Sequence, residues 1–177
     1  MSITADSNLL KIVAPGLIEQ TWNEAEILGG VAWLWMHSNS HRDFPLHALP
    51  VLLLPAIKKR QFVFATESDQ PVFYMSWAQF SLDAEKRYLA HSPLLMPDFD
   101  WNCGDRMWIL DWVAPFGHSK KLSHILRHQL FANRWARTLY HRGDERGLRI
   151  KTFHGSAVVS EEMEEWFSTH PVVDSRD

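Results

Sequence analysis

Cysteine is almost missing: Cys103 stands alone in 177 residues, so no disulfide can form within the chain. A single thiol suits a reducing compartment, and the cytoplasm is the expected location. Long apolar runs are missing too. The longest, LPVLLLPAI at 49–57, contains two prolines and falls far short of the ~20 residues of a membrane-spanning helix. The opening residues, MSITADSNLLKIVAPGLIEQ, start without a basic cluster, and Lys11, Pro15 and Gly16 interrupt their apolar stretch, which makes a poor signal peptide. Charge of one sign is scarce as well. With 18 basic and 21 acidic residues the formal charge is −3, too mild for a protein whose main work is non-specific nucleic-acid binding. HExxH, CxxC and GxSxG patterns are all absent, so neither a metal site nor an elbow-borne serine nucleophile is expected.

Apolar bulk is what the chain does have. Hydrophobic residues make up 46% and aromatic residues 12%, enough for one well-buried core at this length. A single globular domain is expected over residues 22–170, with a flexible arm at 1–21 and a frayed tail at 171–177. In WNEAEILGGVAWLWMHS, Ile27, Val31, Leu34 and Trp35 share a face at helical spacing, and Gly29–Gly30 is a weak point. LHALPVLLLPAIKKRQ reads as a buried helix or a turn-rich segment ending in the cations Lys58, Lys59 and Arg60. QFVFATE and PVFYMSWAQF, separated by SDQP, read as an antiparallel hairpin. SLDAEKRYLA reads as a helix capped by Ser81, with Glu85 one place past the capping-box position. RMWILDWVAPF (106–116) is a strand, SKKLSHILRHQLFANRW a helix, TLYH and RIKTFHG short strands, and EEMEEWF an acidic helix. This order suits an α+β fold with one central, mostly antiparallel sheet flanked by helices.

Ten histidines raise the question of metal, but His37 and His41 would share a face only on a helix continuing through Asn39. His91, His118, His124, His128, His141 and His170 read as solvated surface, and His47 and His154 as ambiguous. Asp111 is different, because a carboxylate inside the apolar strand WILDWVAPF is costly unless partnered. With alternating side chains it points where Ile109 and Val113 point. Two readings follow, a buried hydrogen-bond network or a carboxylate that orients a catalytic base. SNSHRDFP at 38–45 favours the second, since a histidine in an irregular polar segment after a helix is placed as catalytic groups often are. An imidazole takes up a proton near neutral pH, and a carboxylate on its other nitrogen fixes the tautomer and supports the imidazolium. His41 and Asp111 are therefore candidates for a base and its orienter. Ser38 and Ser40 read as cap and turn residues, and Cys103 in WNCGDR as an incidental thiol.

Taken together, GGVAWLWMHSNSHRDFPLHAL, PVFYMSWAQFSLD and WNCGDRMWILDWVAPFG resemble the toxin-activating lysine acyltransferases, the partners of repeats-in-toxin (RTX) pore-forming proteins. The similarity runs from about Gly29 to Phe116 and continues weakly through FHG at 153–155. Several separated motifs in the right order make it specific. The resemblance implies a fold similar to the Gcn5-related N-acetyltransferases (GNAT) and a reaction that moves a long-chain fatty acyl group from acyl carrier protein to internal lysines of an RTX protoxin. It places the family's essential histidine at His41, within xHR(D/N)(W/F)P, and its essential aspartate at Asp111, within DW(I/V)APF. The family serine three residues before the histidine matches Ser38. An asparagine that family members often carry is replaced by Leu52.

No tightly bound cofactor is implied. The co-substrate is an acyl chain on the 4′-phosphopantetheine of acyl carrier protein, and APFGHSKKL follows the Asp111 strand where coenzyme-A-using relatives carry an RxxGxG/A phosphate loop. Trp33, Trp35, Phe73, Trp77 and Trp112 are candidate walls of an acyl groove. Lys58, Lys59 and Arg60, or Lys120, Lys121 and Arg127, are candidate docking patches for the acidic carrier. A homodimer is conceivable. The competing readings are a coenzyme-A-dependent N-acyltransferase on the same fold and a non-catalytic escort of a repeat protein.

Overall fold

The apolar face at Ile27, Val31, Leu34 and Trp35 is buried on α1, Glu24–Met36, in a computed structural model that describes residues 10–140 and 149–172. Asn23 caps this helix by accepting from the Glu26 amide at 3.0 Å, and Glu24 and Glu26 favour its positive end. Gly30 is required on α1, because a Cβ there would come within 2.5 Å of the Phe64 ring. His141 and the outer parts of the expected arm and tail, residues 1–9 and 173–177, lie outside the described residues.

Six strands form one mixed sheet in the order β1-β2-β3-β4-β5-β6. They are β1 Leu10–Val13, β2 Phe62–Glu67, β3 Gln70–Phe80, β4 Arg106–Val113, β5 Trp135–Leu139 and β6 Ile150–His154. Pairing is antiparallel at β1–β2, β2–β3 and β5–β6. At β4–β5 it is parallel, with Trp108 opposite Arg137, and a parallel step needs the long crossover that carries the helix predicted after Phe116. That helix is shorter than its periodicity suggested. It runs as α5, Ser119–Ile125, and then widens into a π-helical turn, Leu126–Leu130. Part of the stretch expected as an arm is strand β1, where Leu10 and Ile12 are buried and Lys11 faces out. The chain falls into two compact units, one of the residues up to Trp77 with Asp111–Leu122, the other of Ala78–Leu110 with the residues from Ser123 on.

In the first unit the prolines of LPVLLLPAI start helices rather than continue them. A 3₁₀ turn at Leu46–Ala48 leads into α2, Leu49–Leu52, and α3, Leu54–Lys58, with Pro50 and Pro55 in their first turns. The hairpin turns through Ser68 and Asp69, both with positive φ (50° and 63°), as a tight turn between right-twisted strands requires. Beyond it, Glu67 binds Lys121 at 2.9 Å and His118 at 3.0 Å, so His118 is half-buried in an ion pair rather than solvated.

In the second unit α4, Leu82–Ala90, starts at Ser81, whose hydroxyl accepts from the Ala84 amide. Glu85 does not reach back to the cap. It is wholly buried and accepts from Arg106, Arg137 and Trp108 at 3.0–3.2 Å. The two arginines also donate to the carbonyls that end α6, Ser160–Thr169: Arg106 to His170 and Pro171, Arg137 to His170. Burial draws the Arg137 guanidinium below the usual arginine range, offset in part by Glu85. His170 stacks flat on Trp166 at 4.2 Å and is half-buried as well. Among the described residues no helix is long and apolar enough to cross a membrane.

Removing Glu85 leaves two buried guanidinium groups facing each other, so Glu85→Ala should cost about 3–5 kcal/mol of stability, read as a fall in the urea midpoint. Lys11→Gln, which breaks the exposed pair with Asp69, should leave that midpoint within error; equal effects would contradict this account. Lys121 and, next, His118 hold the Glu67 carboxyl below the usual glutamate range. A lowered carboxyl contributes stability that is present above the unfolded value and lost as pH falls through the folded one. The margin of the wild type over Glu67→Gln should therefore be full above about pH 5 and shrink below about pH 4.3, measured by denaturation across that range.

Candidate active site

Three tight steps at the end of α1 turn the chain back on itself. The amides of His37 and Ser38 bond to the carbonyls of Leu34 and Trp35, the amides of His41 and Arg42 both bond to the Ser38 carbonyl, and the Phe44 amide bonds to His41. Pro45 then takes an extended conformation. His41 is thereby presented from a compact loop at the C-terminal end of a helix with one buried face. Asp111 comes from β4, 70 positions away in sequence. Their side chains meet with His41 Nε2 at 2.9 Å from Asp111 Oδ1, and only 16% and 14% of the two side chains is exposed.

Both oxygens of Asp111 are engaged. Oδ1 also accepts from the Trp112 amide at 2.9 Å, and Oδ2 accepts from Trp35 Nε1 at 3.1 Å. These donors offset the cost of a carboxylate in an apolar strand. A carboxylate only accepts, so Nε2 carries its proton and Nδ1 is the basic nitrogen. Nδ1 lies 2.8 Å from Ser38 Oγ, whose hydroxyl donates to a neutral ring and accepts from a charged one. Trp35 and Phe44 pack against the imidazole at 5.2 and 6.1 Å between ring centres. The arrangement holds an imidazole in one tautomer, with a charge opposite the proton it keeps and a hydroxyl at the nitrogen that takes one up. Tyr74 adds no second base. Burial above all, and then the Asp111 charge, pushes its phenol well above the usual tyrosine range.

The structure thus brings together His41, Asp111 and Ser38, and Ser38 is a partner of the imidazole rather than a cap. His37 and His41 do not share a helix face. α1 ends at Met36, and His37 Nδ1 is 2.8 Å from the Trp33 carbonyl. Among the residues named as groove walls, Phe73 and Trp77 are buried at 0% and 3% exposure because β3 is covered on both faces. Trp35 is spent on Asp111, Trp112 is half-buried and donates to Ser119 Oγ, and Trp33 packs against Phe116 and His37. Leu52 closes α2, half-buried.

The basic candidates differ from one another. Lys58 and Lys120 are exposed, Lys121 is paired with Glu67, and Arg127 donates to the His154 carbonyl. Lys59 is half-buried, and Arg60 lines a surface cavity of about 340 Å³ with residues 15–20. Sequence reasoning missed Trp35 as a donor to Asp111. Its place on the buried face of the helix preceding the histidine was visible, but nothing in that spacing indicates where an indole N–H points.

Residues 20–154 match the model of the RTX toxin acyltransferase family. The chain is 40% identical over 136 residues to the RTX-I toxin-activating lysine-acyltransferase of Actinobacillus pleuropneumoniae, covering 77% of this chain and 78% of the relative. It is 38% identical over 148 residues to the protein-lysine palmitoyltransferase of Bordetella bronchiseptica, covering 82% and 78%. To a protein-lysine myristoyltransferase of Escherichia coli it is 38% identical over 133 residues, covering 75% and 77%.

Trp35→Phe keeps one six-membered ring and removes the donor at Asp111 Oδ2 along with the rest of the buried indole. It should destabilise the protein by about 1–3 kcal/mol in denaturant unfolding, whereas Trp112→Phe, losing an exposed bond to Ser119, should cost less than about 1 kcal/mol. The reverse order would mean that the indole contact does not support the carboxylate.

Proposed function

Because the chain belongs to the RTX toxin acyltransferase family, we propose that it transfers a long-chain fatty acyl group from acyl carrier protein to internal lysine side chains of an RTX protoxin. His41 acts as general base and Asp111 as its orienter. The observation that carries this reading is the contact itself: two residues in separate motifs, 70 positions apart, meet at 2.9 Å with the remaining imidazole nitrogen aimed at a hydroxyl.

The chemistry makes a base necessary. A lysine amine of pKa about 10.4 is neutral in about one molecule in 2,500 at pH 7, a cost of about 4.6 kcal/mol. The ammonium gives up its first proton to solvent, and His41 Nδ1 takes the second from the attacking amine as it adds, directly or through the Ser38 hydroxyl, which accepts from the amine as it donates to the ring. The amine adds to the thioester carbonyl, the tetrahedral intermediate collapses with loss of the carrier's thiolate, and the imidazolium returns the proton to that sulfur. Asp111 stabilises the imidazolium between the two transfers. A GNAT-like arrangement is in keeping with the six-stranded mixed sheet. A carrier-borne donor fits the APFGHSKKL segment, which holds no glycine-rich phosphate loop. Exposed Lys58 and Lys120 are suited to docking an acidic carrier, and such a carrier would place the reaction in the cytoplasm.

A specific observation favours a second route. Asp111, His41 and Ser38 form a line of acid, base and hydroxyl at 2.9 and 2.8 Å, the relation by which a base activates a serine. An acyl-Ser38 would then pass its chain to lysine.

Incubation with palmitoyl-acyl carrier protein and a cognate protoxin should add the palmitoyl mass to internal lysines in peptide mass spectrometry. His41→Ala should lower the rate by about 10²- to 10⁴-fold, and Asp111→Asn should follow in the same direction. No mass gain with any long-chain donor would leave the escort reading; gain from acyl coenzyme A without the carrier would leave the coenzyme-A-dependent one. Ser38→Ala separates the two routes: loss within about tenfold supports direct transfer, and complete loss, with an acylated Ser38 peptide trapped from the wild type, supports the acyl-serine.

A further inference from the structure

Next to Ser38 the surface carries a cluster of rings that the acid-base machinery does not use. Trp33, in the last turn of α1, and His37, the residue that follows the helix, have ring centres 4.1 Å apart. Phe116, five residues after Asp111, closes the triangle at 5.4 Å from each. Phe116 is 43% exposed, His37 is exposed and Trp33 half-buried. The neighbouring Met36 is 64% exposed. Contiguous aromatic surface open to water marks a binding face when something of matching chemistry must come there.

We propose that Trp33, His37 and Phe116 form the platform on which the first methylenes of the fatty acyl chain lie during transfer. This rests on the acyltransferase reading and goes beyond it, replacing an enclosed groove with an open ring surface. Position is the first argument. The reacting carbonyl must stand near Ser38 Oγ and His41 Nδ1, and His37 is joined to Ser38 by one peptide unit, about 3.8 Å between Cα atoms. Rigidity is the second. His37 Nδ1 is bonded to the Trp33 carbonyl at 2.8 Å, so the His37 ring is held against Trp33 before the chain arrives and loses little freedom on binding. The third is elimination among the aromatic residues of this unit: Phe62, Phe64, Phe73, Tyr74 and Trp77 are buried, Trp22 packs on Phe62, Trp35 is bound to Asp111, Trp112 packs on Phe73 and donates to Ser119, and Phe44 packs on the His41 ring itself.

The occupant is a saturated alkyl chain, since relatives of this chain are named for myristoyl and palmitoyl transfer. A flat platform covers one side of the chain and leaves the other in water. Full burial of a methylene is worth about fourfold in affinity and half burial about twofold, so the gain per methylene should be modest and should stop where the rings stop.

The test compares kcat/KM for the full-length protein with carrier proteins loaded from butyryl to palmitoyl, in the wild type, in Phe116→Ser and in Phe99→Ser, an exposed aromatic of the second unit. The wild type should gain about twofold per methylene over the first part of the series and then level off, whereas about fourfold per methylene sustained to palmitoyl would mean an enclosed groove and overturn the platform. Phe116→Ser should lose least with butyryl, which has few methylenes to lay on the rings, and about tenfold or more with palmitoyl, while Phe99→Ser follows the wild type. A loss in Phe116→Ser of equal size at every chain length would overturn the platform while leaving the acyltransferase reading intact. So would a shift from dimer to monomer in sedimentation with the chain-length dependence unchanged, which would make a second copy the occupant. A wild type inactive with every acyl donor would remove the reading and the platform together.

Discussion

A single carboxylate in the wrong surroundings organises this protein. Asp111 sits in β4 among Trp108, Ile109, Trp112 and Val113, where an unpartnered charge would be costly to bury. Three donors meet it: an indole from α1, an imidazole from the loop after α1, and the amide of the next residue in its own strand. Each imposes a requirement. The rotation of α1 must bring Trp35 inward, the loop must turn within a few residues to return His41, and Ser38 must follow the helix at once to reach the far side of the ring. The helix, the loop and the strand are thus positioned by the same demand. In the proposed reaction a carboxylate so enclosed would not need to reorganise when charge develops on the imidazole, the condition under which fixed charges are most effective in catalysis.

Much of this was legible in the residues. The face of Ile27, Val31, Leu34 and Trp35, the hairpin around Ser68 and Asp69, and the Ser81 cap depend on local rules, and local rules transfer from peptide to fold. The His41–Asp111 pair was legible for a different reason. A charge in an apolar strand and a histidine in a polar loop are each out of place, and two misplacements of complementary chemistry explain each other.

What stayed hidden depends on partners distant in sequence. Leu10 and Ile12 alternate with Lys11 too briefly to announce a strand, and only pairing with β2 makes them one. The sheet order that sets β4 parallel to β5 is equally a product of pairing. Glu85 looked like part of a helix cap, yet Arg106 and Arg137 draw it inside. Phe73 and Trp77 have the residue types of a lipid-binding wall, and nothing in type alone distinguishes a wall from a core. Phe116 falls between these cases: it is exposed in the turn after β4, next to Gly117 with its positive φ of 86°.

The Glu85 cluster has a consequence for how such a chain can change over generations. One buried anion serves two buried cations, both of which also hold the carbonyls at the end of α6. Losing the glutamate strands two charges, and losing either arginine frees a helix end. No single substitution among Glu85, Arg106 and Arg137 leads to an equally stable intermediate, whereas an exchange of the whole set for apolar residues could. Those three positions should therefore be inherited as a block, drifting together or not at all, while the exposed Lys11 remains free to vary alone.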